Sequence, residues 1–406
     1  MNFNANQIRA INFHNGNCCL MATAGSGKTA VLTNRIKNLI EIYGVKPENI
    51  LAITFSKKAK DTMVERLNKL LPCQSKNINI ETFHSLGYKI MRSYTGINYK
   101  ILKDNKKVTM INMLTKEDID TKTVINYISR QKNNLQYPNR KSVNLYDRLY
   151  YLYEQEKKKT GDKIDFDDML LESYNILSNN ADLLNRYISC YKYLLVDEVQ
   201  DTNYAQNELI KLLGKNNNNV FIVGDPLQCI YNWRGSNNDY IINFHKDWEN
   251  TTVINLDTNY RSTKDIVDMS NKFAETIEAS KHEYYVESQT DVPYYKVPLL
   301  YTYEDEDDEA DKIAEQINDF VSSEQYSYKD FCILARTNAQ LQTFETTLYN
   351  NNVAYEVVDG SSFIERTEIK IILSYLKLAN DIYDNESFEY IYYRPNRWLG
   401  KTFLEE

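Results

Sequence analysis

The sequence predicts an α/β fold built around a parallel sheet. Two observations support this prediction: short apolar runs that end in polar or acidic residues, and segments of helical periodicity between them. Uninterrupted apolar runs are typical of parallel strands, which are buried on both faces. The expected strands cover residues 18–22, 50–55, 193–197, 220–225, 253–257 and 331–335. The expected helices include residues 59–71, 308–321 and 338–350.

A glycine-rich loop follows the first expected strand. Residues 22–29 read Ala-Thr-Ala-Gly-Ser-Gly-Lys-Thr, and apolar residues recur on one helical face after them. At such a strand–helix junction, backbone N–H groups and the helix N-terminus face a bound phosphate. Lys28 would reach the β- and γ-phosphates, and the Thr29 hydroxyl would bind Mg²⁺. The loop therefore predicts a P-loop NTPase, with an ordinary glycine turn as the alternative. The predicted phosphate-binding residues are Ala24, Gly25, Ser26, Gly27, Lys28 and Thr29.

Two later strands end in side chains that complete such a site. Asp197 and Glu198 follow the apolar run that starts at Tyr193. Asp197 would hold Mg²⁺ through water, and Glu198 would orient and deprotonate the attacking water. Gln228 follows the next expected strand and could reach the γ-phosphate or that water. A pair of surface carboxylates and a solvated turn are the alternative interpretations.

The composition indicates a globular chain of two to three domains, since it has 406 residues and 42% hydrophobic content. Its six cysteines show no C-x-x-C spacing, so neither a zinc site nor a disulfide scaffold is indicated, and we expect reduced, mostly buried thiols. No apolar run approaches the roughly 18 residues of a membrane span. A soluble, cytoplasmic protein is therefore expected.

The net charge of −8 argues against a uniformly basic nucleic-acid-binding protein, but the charge is distributed unevenly. Residues 91–163 carry 16 Lys or Arg residues against 8 Asp or Glu residues, lack the apolar runs and have a helical pattern. This segment is expected to be a basic helical insertion. Its charge indicates either a solvated face or phosphate contact, with Lys157, Lys158 and Lys159 as candidate ligands.

Longer motifs resemble the UvrD/Rep/PcrA group of superfamily 1 DNA helicases. The sequence reads Asp-Glu-Val-Gln-Asp-Thr at 197–202, Val-Gly-Asp-Pro-Leu-Gln-Cys-Ile-Tyr-Asn-Trp-Arg-Gly at 223–235 and Asn-Tyr-Arg-Ser at 259–262. The resemblance extends over almost the whole chain. Further matching segments are Asn4 with Gln7, and residues 53–55, 82–85, 338–340 and 363–370.

The resemblance implies a RecA-like motor domain with a helical insertion, followed by an incomplete second RecA-like domain. Residues 1–90 and 164–257 would form motor domain 1A, and residues 91–163 the insertion 1B. Residues 258–380 would begin domain 2A, and residues 381–406 a 2B-like insertion.

The resemblance also implies roles for individual residues. Gln7 would recognise adenine, Tyr260 would stack on it, and Arg261 would act as an arginine finger on the γ-phosphate. Five residues would contact the DNA single strand, and stacking on aromatic planes would suit a motor without sequence preference. These residues are Phe55, His84, Tyr231, Trp233 and Arg234. The implied activity is ATP-dependent, 3′ to 5′ movement on single-stranded DNA and at single-strand/duplex junctions.

The sequence departs from the family pattern at two places. Ala30 stands where related chains often carry Arg. The sequence ends at Glu406, before the family's motifs V and VI, which leads us to expect a truncated or split motor whose remaining motifs lie on a separate chain. Two alternatives remain open: the motor part of a recombinational helicase-nuclease, because Gly-Asp-Pro at 224–226 is more like that branch, and a non-enzymatic ATP- and DNA-binding module that regulates a partner.

Overall fold

The computed structural model describes residues 2–115, 119–159, 161–215, 217–324, 326–358, 367–392 and 394–395. It contains two compact units, Met1–Pro298 and Leu299–Glu406. The strands, all in the first unit, are β1 (Cys18–Ala22), β2 (Ile50–Thr54), β3 (Asn79–Thr82), β4 (Lys100–Ile101), β5 (Lys163–Ile164), β6 (Tyr193–Val196), β7 (Val220–Gly224) and β8 (Thr252–Leu256).

The helices of the first unit are α1 (Ala5–Ile11), α2 (Lys28–Glu41), α3 (Lys57–Leu70), α4 (Phe83–Thr95), α5 (Asp104–Leu114), α6 (Thr121–Asn133), α7 (Leu145–Lys158), α8 (Phe166–Asn179), α9 (Ala181–Cys190), α10 (Tyr204–Gly214), α11 (Asp239–Ile242), α12 (Phe244–Asp247) and α13 (Lys264–Ala274). Those of the second unit are α14 (Glu306–Ser322), α15 (Asn338–Asn350), α16 (Thr367–Asn380) and α17 (Asn385–Ile391).

Six strands form one sheet in the order β3-β2-β6-β7-β1-β8, with every pairing parallel. The predicted α/β fold with a parallel sheet is confirmed. Strand β3 was not predicted as a strand. The strands are buried because helices cover both faces: α1, α2 and α3 contribute to the core on one side, and α4, α8 and α10 on the other. The loops after β1, β6, β7 and β8 therefore all leave the same edge of the sheet.

The basic segment contains α5, α6 and α7, and its β4 pairs with β5 in a separate two-stranded sheet. A buried ionic cluster joins this segment to α8. The Lys132 ammonium lies 2.7 Å from carboxylate oxygens of Asp165, Asp168 and Glu154, and Lys157 contacts the same three groups. Lys157 is only 4% exposed. The prediction that Lys157 contacts phosphate was wrong, because buried carboxylates already neutralise its charge.

The second unit contains helices but no strand among its described residues. The helices predicted at 308–321 and 338–350 are confirmed as α14 and α15. The strand predicted at 331–335 was wrong: Phe331 and Ile333 pack with α14 and α15, but Leu334 is 91% exposed. An isolated apolar run cannot be a strand without a neighbour to accept its hydrogen bonds. Residues 363–366 and 396–406, which include part of a predicted motif, lie outside the described residues.

Two features expected from the composition can be compared with the structure: the burial of the cysteines and the absence of a membrane-spanning segment. Cysteines 73, 190 and 332 are exposed, so the expectation of mostly buried thiols holds only for Cys18 and Cys19. Within the described ranges, no helix combines the length and apolar character needed to cross a membrane.

Gly87 is the point of closest approach between α4 and α8. A Cβ atom at this position would lie 2.3 Å from the Met169 carbonyl oxygen. We expect Gly87→Ala to lower the free energy of unfolding by about 2 kcal/mol, because overpacking outweighs the helix preference of alanine. Urea unfolding measures the change. Arg92→Ala, at an exposed position of the same helix, is the control and should change stability by less than about 0.5 kcal/mol. A more stable Gly87→Ala protein would contradict this packing.

Candidate nucleotide site and nucleic-acid surface

The glycine loop between β1 and α2 adopts a conformation that glycine favours. Gly25 and Gly27 have φ angles of 72° and 83°, in the left-handed region. Gly27 precedes α2 without a side-chain hydrogen bond to the first turn. The N–H groups of that turn can therefore face an anion, as expected for a phosphate-binding loop.

The loop lines a cavity of about 240 Å³. Lys28, Glu198, Gln228 and Arg261, predicted from separate parts of the sequence, all line it. The remaining lining residues are Ala24, Gly25, Ser26, Gly27, Thr29, Ala30 and Arg66. Arg66, an exposed residue of α3, was not predicted, since nothing in the spacing of α3 distinguishes it from other surface cations.

Opposite charges meet inside this cavity. The Lys28 ammonium lies 3.1 Å from Glu198 Oε2. It makes no hydrogen bond within the described part of the chain, although it is buried. Its N–H groups thus remain available for phosphate oxygens. The cavity thus contains a cation beside a carboxylate. Phosphate contact by Lys28 and general-base action by Glu198 stay predictions.

Two carboxylates, those of Asp197 and Glu198, directly follow strand β6. Burial, followed by the adjacent charge of Glu198, raises the pKa of Asp197 from 3.8 to about 7. Glu198 has left-handed backbone angles, φ 51° and ψ 49°, which are uncommon for a residue with a Cβ. Burial also raises the pKa of Asp201 to about 6. A cluster of desolvated carboxyl groups such as this one is typical of functional sites.

The loop after β8 binds directly to the glycine loop. The Tyr260 N–H donates to the Gly25 carbonyl over 3.0 Å. The Asn259 side-chain oxygen accepts the N–H groups of Arg261 and Ser262 at 2.7 and 2.9 Å. A Cβ on Gly25 would lie 2.5 Å from that oxygen, so only glycine allows this approach. Arg261 is thereby placed at the cavity.

The N-terminal helix contacts the same loop from another direction. Gln7 is 4% exposed, its Nε2 donates to the Ser26 carbonyl over 2.9 Å, and its Oε1 accepts the Asn4 N–H. Asn4 in turn donates to the Tyr260 hydroxyl over 2.9 Å. Gln7 thus joins α1 to the phosphate loop. Adenine recognition by Gln7 and Tyr260 stays a prediction.

Aromatic side chains lie just beyond the Gln228 end of the cavity. The Phe55 and Tyr231 rings stack with centroids 5.3 Å apart. The Arg234 guanidinium lies 4.5 Å from the Trp233 ring centroid, and Trp233 is 68% exposed. An exposed indole beside a cation can stack on a base. Four of the five residues predicted to contact DNA therefore form one surface.

The fifth predicted residue, His84, lies at the start of α4 after β3. Burial lowers the pKa of His84, so the ring is neutral at pH 7. The His84 and Phe166 rings form a T-shaped pair with centroids 5.8 Å apart. Phe166 is 52% exposed and was not predicted. Its signal in the sequence is weak, because a single aromatic at a helix start is indistinguishable from a core residue until the helix is placed.

Comparison with known proteins identifies the family. The model of the UvrD/REP helicase N-terminal domain matches residues 3–249, and that of the UvrD-like helicase C-terminal domain matches residues 254–406. The chain is 34% identical over 423 residues to the ATP-dependent DNA helicase PcrA of Leuconostoc citreum, covering 99% of this chain and 56% of that protein. It is 36% identical over 423 residues to the ATP-dependent DNA helicase Rep of Buchnera aphidicola subsp. Schizaphis graminum, covering 100% of this chain and 64% of that protein.

A third relative, the ATP-dependent DNA helicase PcrA of Staphylococcus aureus, is 34% identical over 99% of this chain and 57% of its own length. The chain thus spans less than two thirds of the length of these relatives. The matches give no support to the expected separate chain with the C-terminal motifs, because a C-terminal family model already matches residues 254–406. Taken with the geometry of the cavity, both matches show that the chain belongs to the UvrD/Rep family of helicases.

Proposed function

We propose that the chain couples hydrolysis of MgATP to movement along single-stranded DNA, as an ATP-dependent DNA helicase or translocase. One observation carries the proposal: Gln228 lines the cavity and is followed within six residues by the exposed aromatic and cationic side chains. A small change at the γ-phosphate can thereby reach the DNA surface through one short segment. The names of the PcrA and Rep relatives support the same activity.

In this proposal, each cavity residue has a different role in ATP hydrolysis. Lys28 binds the β- and γ-phosphates once ATP displaces its ion pair with Glu198. Glu198 orients and deprotonates the attacking water, Gln228 positions that water or the γ-phosphate, and Arg261 stabilises the charge of the transferring phosphoryl group. Gln7 contacts the adenine base and Tyr260 stacks on it.

The donor set fits a magnesium ion. Mg²⁺ prefers hard oxygen ligands, usually one or two protein groups together with substrate phosphates and water. Thr29 and Asp197 would hold it, and the raised pKa of Asp197 indicates a carboxylate that gains from a nearby cation. When bound, the ion supplies positive charge that neutralises the phosphate oxygens.

The aromatic surface contacts the bases. Phe55, Tyr231 and Trp233 stack on successive bases, Arg234 pairs with the backbone, and His84 with its neighbour Phe166 extends the contact along the strand. Stacking of this kind does not depend on sequence. We propose single strands and single-strand/duplex junctions as the substrates.

Direction, domain roles and setting follow from the family resemblance. We propose movement from 3′ to 5′, with residues 1–90 and 164–257 as motor domain 1A, residues 91–163 as the 1B insertion and residues 258–380 as the start of domain 2A. Residues 381–406 begin the 2B-like insertion. DNA repair or replication in the cytoplasm is the proposed setting.

Replacement of the phosphate-loop lysine tests the nucleotide site. We expect Lys28→Ala to lower DNA-stimulated ATP turnover at least about 100-fold, because the charge on the transferring phosphoryl group loses its cation. Phosphate release with oligothymidylate measures the turnover. Lys37→Ala, on the same helix but outside the cavity, is the control and should keep wild-type turnover. Normal turnover by the Lys28 variant would refute the assignment of the site.

Replacement of the exposed tryptophan tests the DNA surface. We expect Trp233→Ala to weaken single-strand binding by about 10-fold, since base stacking contributes roughly 1 to 3 kcal/mol. Fluorescence anisotropy with labelled oligothymidylate measures Kd. Tyr349→Ala, which removes a 75% exposed ring from α15, is the control. Unchanged affinity and unchanged DNA stimulation in the Trp233 variant would exclude the stacking role.

The raised pKa of Asp197 predicts that the free energy of unfolding of the nucleotide-free protein falls as the pH rises. An aspartate in the unfolded chain ionises near about pH 4, whereas folded Asp197 keeps its proton until about pH 7. The wild type therefore loses stability as the pH rises between these values. Asp197→Asn removes this loss, so the variant should gain stability relative to the wild type from pH 5 to pH 8.

Urea unfolding in EDTA at pH 5, 6, 7 and 8 measures that gain. Lys37→Ala is the control, and its stability difference from the wild type should not change with pH. A stability difference between Asp197→Asn and the wild type that is equally constant would contradict the pKa assignment.

A further inference from the structure

We propose that Gln200 is the positioning residue that couples the DNA surface to ATP hydrolysis, by holding the Glu198 carboxylate against the end of β7. The inference rests on the proposed role of Glu198 as the general base. Gln200 does not line the cavity, and no role was predicted for it from the sequence. Its importance follows from where its two amide atoms are bonded.

The Gln200 side chain bridges the ends of two neighbouring strands. It is 1% exposed, and its Nε2 donates to Glu198 Oε2 over 2.9 Å. Its Oε1 accepts the backbone N–H of Asp225 over 3.0 Å. An amide is the group that can donate and accept in these two directions at once, since a carboxylate lacks the donor. The bridge therefore fixes the distance between the loop after β6 and the loop after β7.

The bridge continues from β7 to the cavity and the aromatic surface. Asp225 Oδ2 accepts a hydrogen bond from Gln228 Nε2 over 2.7 Å, and Asp225 Oδ1 accepts the Leu227 N–H over 3.0 Å. The Gln228 N–H in turn donates to the Asp225 carbonyl over 2.9 Å. Tyr231 lies three residues further along this tightly bonded turn. A shift of the turn on DNA binding is thus passed through Asp225 and Gln200 to Glu198.

The Glu198 carboxylate depends on a hydrogen-bond donor that stays in place when ATP binds. Gln200 and the Lys28 ammonium engage the same oxygen, Oε2, at 2.9 and 3.1 Å. When Lys28 turns to the phosphates, its ion pair with this oxygen is lost, and the Gln200 amide continues to donate its hydrogen bond to the same oxygen. It keeps the carboxylate of a residue with left-handed backbone angles in place while water is activated.

The end of β7 is shaped to admit the amide. A Cβ on Gly224 would lie 2.4 Å from Gln200 Oε1 and 2.8 Å from Ile241 Cδ1. The φ angle of Gly224 is not in the left-handed region, so the glycine is needed for space rather than for backbone conformation. Gly224→Ala consequently disturbs the same bridge from the opposite side.

A purely structural role would give a different result. Gln206 offers a matched comparison, because it is also a buried glutamine, 5% exposed, whose Oε1 accepts a backbone N–H, that of Asn203. It caps α10 and has no bond to Glu198. Gln206→Met therefore reports the cost of losing a buried amide near the site without breaking the bridge.

The experiment compares Gln200→Met, Gly224→Ala, Gln200→Glu and Gln206→Met in the full chain. Steady-state ATP hydrolysis is measured with and without oligothymidylate, together with KM for ATP, Kd for the oligonucleotide and the thermal midpoint. We expect Gln200→Met to lower DNA-stimulated kcat by about 10-fold or more and to reduce the stimulation ratio. Its KM and Kd should stay within about threefold of the wild type, because neither ATP nor DNA touches Gln200.

The other variants fix the interpretation. Gly224→Ala should lower DNA-stimulated kcat and the stimulation ratio as Gln200→Met does. The double variant should have a kcat no lower than that of either single variant, since both substitutions break the same bridge. Gln200→Glu keeps the acceptor for Asp225 but loses the donor to Glu198, so it should also lose stimulation. Gln206→Met should lower the thermal midpoint but keep the stimulation ratio.

Two results would overturn the proposal. One is a wild-type kcat and stimulation ratio in Gln200→Met. The other is an equal loss of stimulation in Gln206→Met and Gln200→Met when the two variants have the same thermal midpoint. If Gln200→Met does not fold, Gly224→Ala and Gln200→Glu decide by the same readouts. Glu198→Gln separates this proposal from the proposed function. Wild-type ATP turnover in Glu198→Gln would refute the role of Glu198 as general base. Loss of turnover in Glu198→Gln, together with wild-type kcat and stimulation in the Gln200 variants, would refute only the coupling role of Gln200.

Discussion

The parallel register of the six-stranded sheet is the constraint on which the site depends. Because β6, β7, β1 and β8 are neighbours and all run in the same direction, their carboxyl ends meet at one edge. The glycine loop, the carboxylate pair, the Gln228 turn and the Asn259 turn come from distant parts of the chain, yet each follows one of these strands. Their convergence requires no further device than backbone hydrogen bonding between parallel strands.

Two glycines at this edge lie unusually close to neighbouring side chains. Gly25 lies against Asn259, and Gly224 against the Gln200 amide, at separations that exclude a Cβ. The resulting contacts hold Glu198 and Arg261 at the cavity while burial leaves Asp197 short of positive charge. Burial and the neighbouring charge of Glu198 therefore disfavour the ionised form of Asp197. An ionised Asp197 lowers the stability of the fold, and desolvated carboxyl groups of this kind are common at functional sites.

The basic segment, residues 91–163, is joined to α8 by a different interaction, the buried cluster around Lys132 and Lys157. Burial alone would lower the pKa of Lys132, but Asp165, Asp168 and Glu154 hold it well above its usual value. Such clusters contribute less to stability than their short distances suggest, because removing the charges from water is costly. The cluster connects α6, α7 and α8. The three carboxylate groups lie close enough to suit a metal ion, but two ammonium groups, those of Lys132 and Lys157, already occupy the space between them.

The sequence by itself determined the elements with strong local signals: the glycine loop, five of the six strands in the main sheet, the carboxylates after β6 and the helices α14 and α15. These depend on apolar runs and helical periodicity, which short segments encode. Tertiary structure alone decided that Lys157 is buried, that residues 331–335 form no strand, and that Arg66 and Phe166 join the site. It also revealed the bridge made by Gln200. Each of these depends on neighbours far away in the chain, and local periodicity contains no information about which side chains will meet across strands and helices.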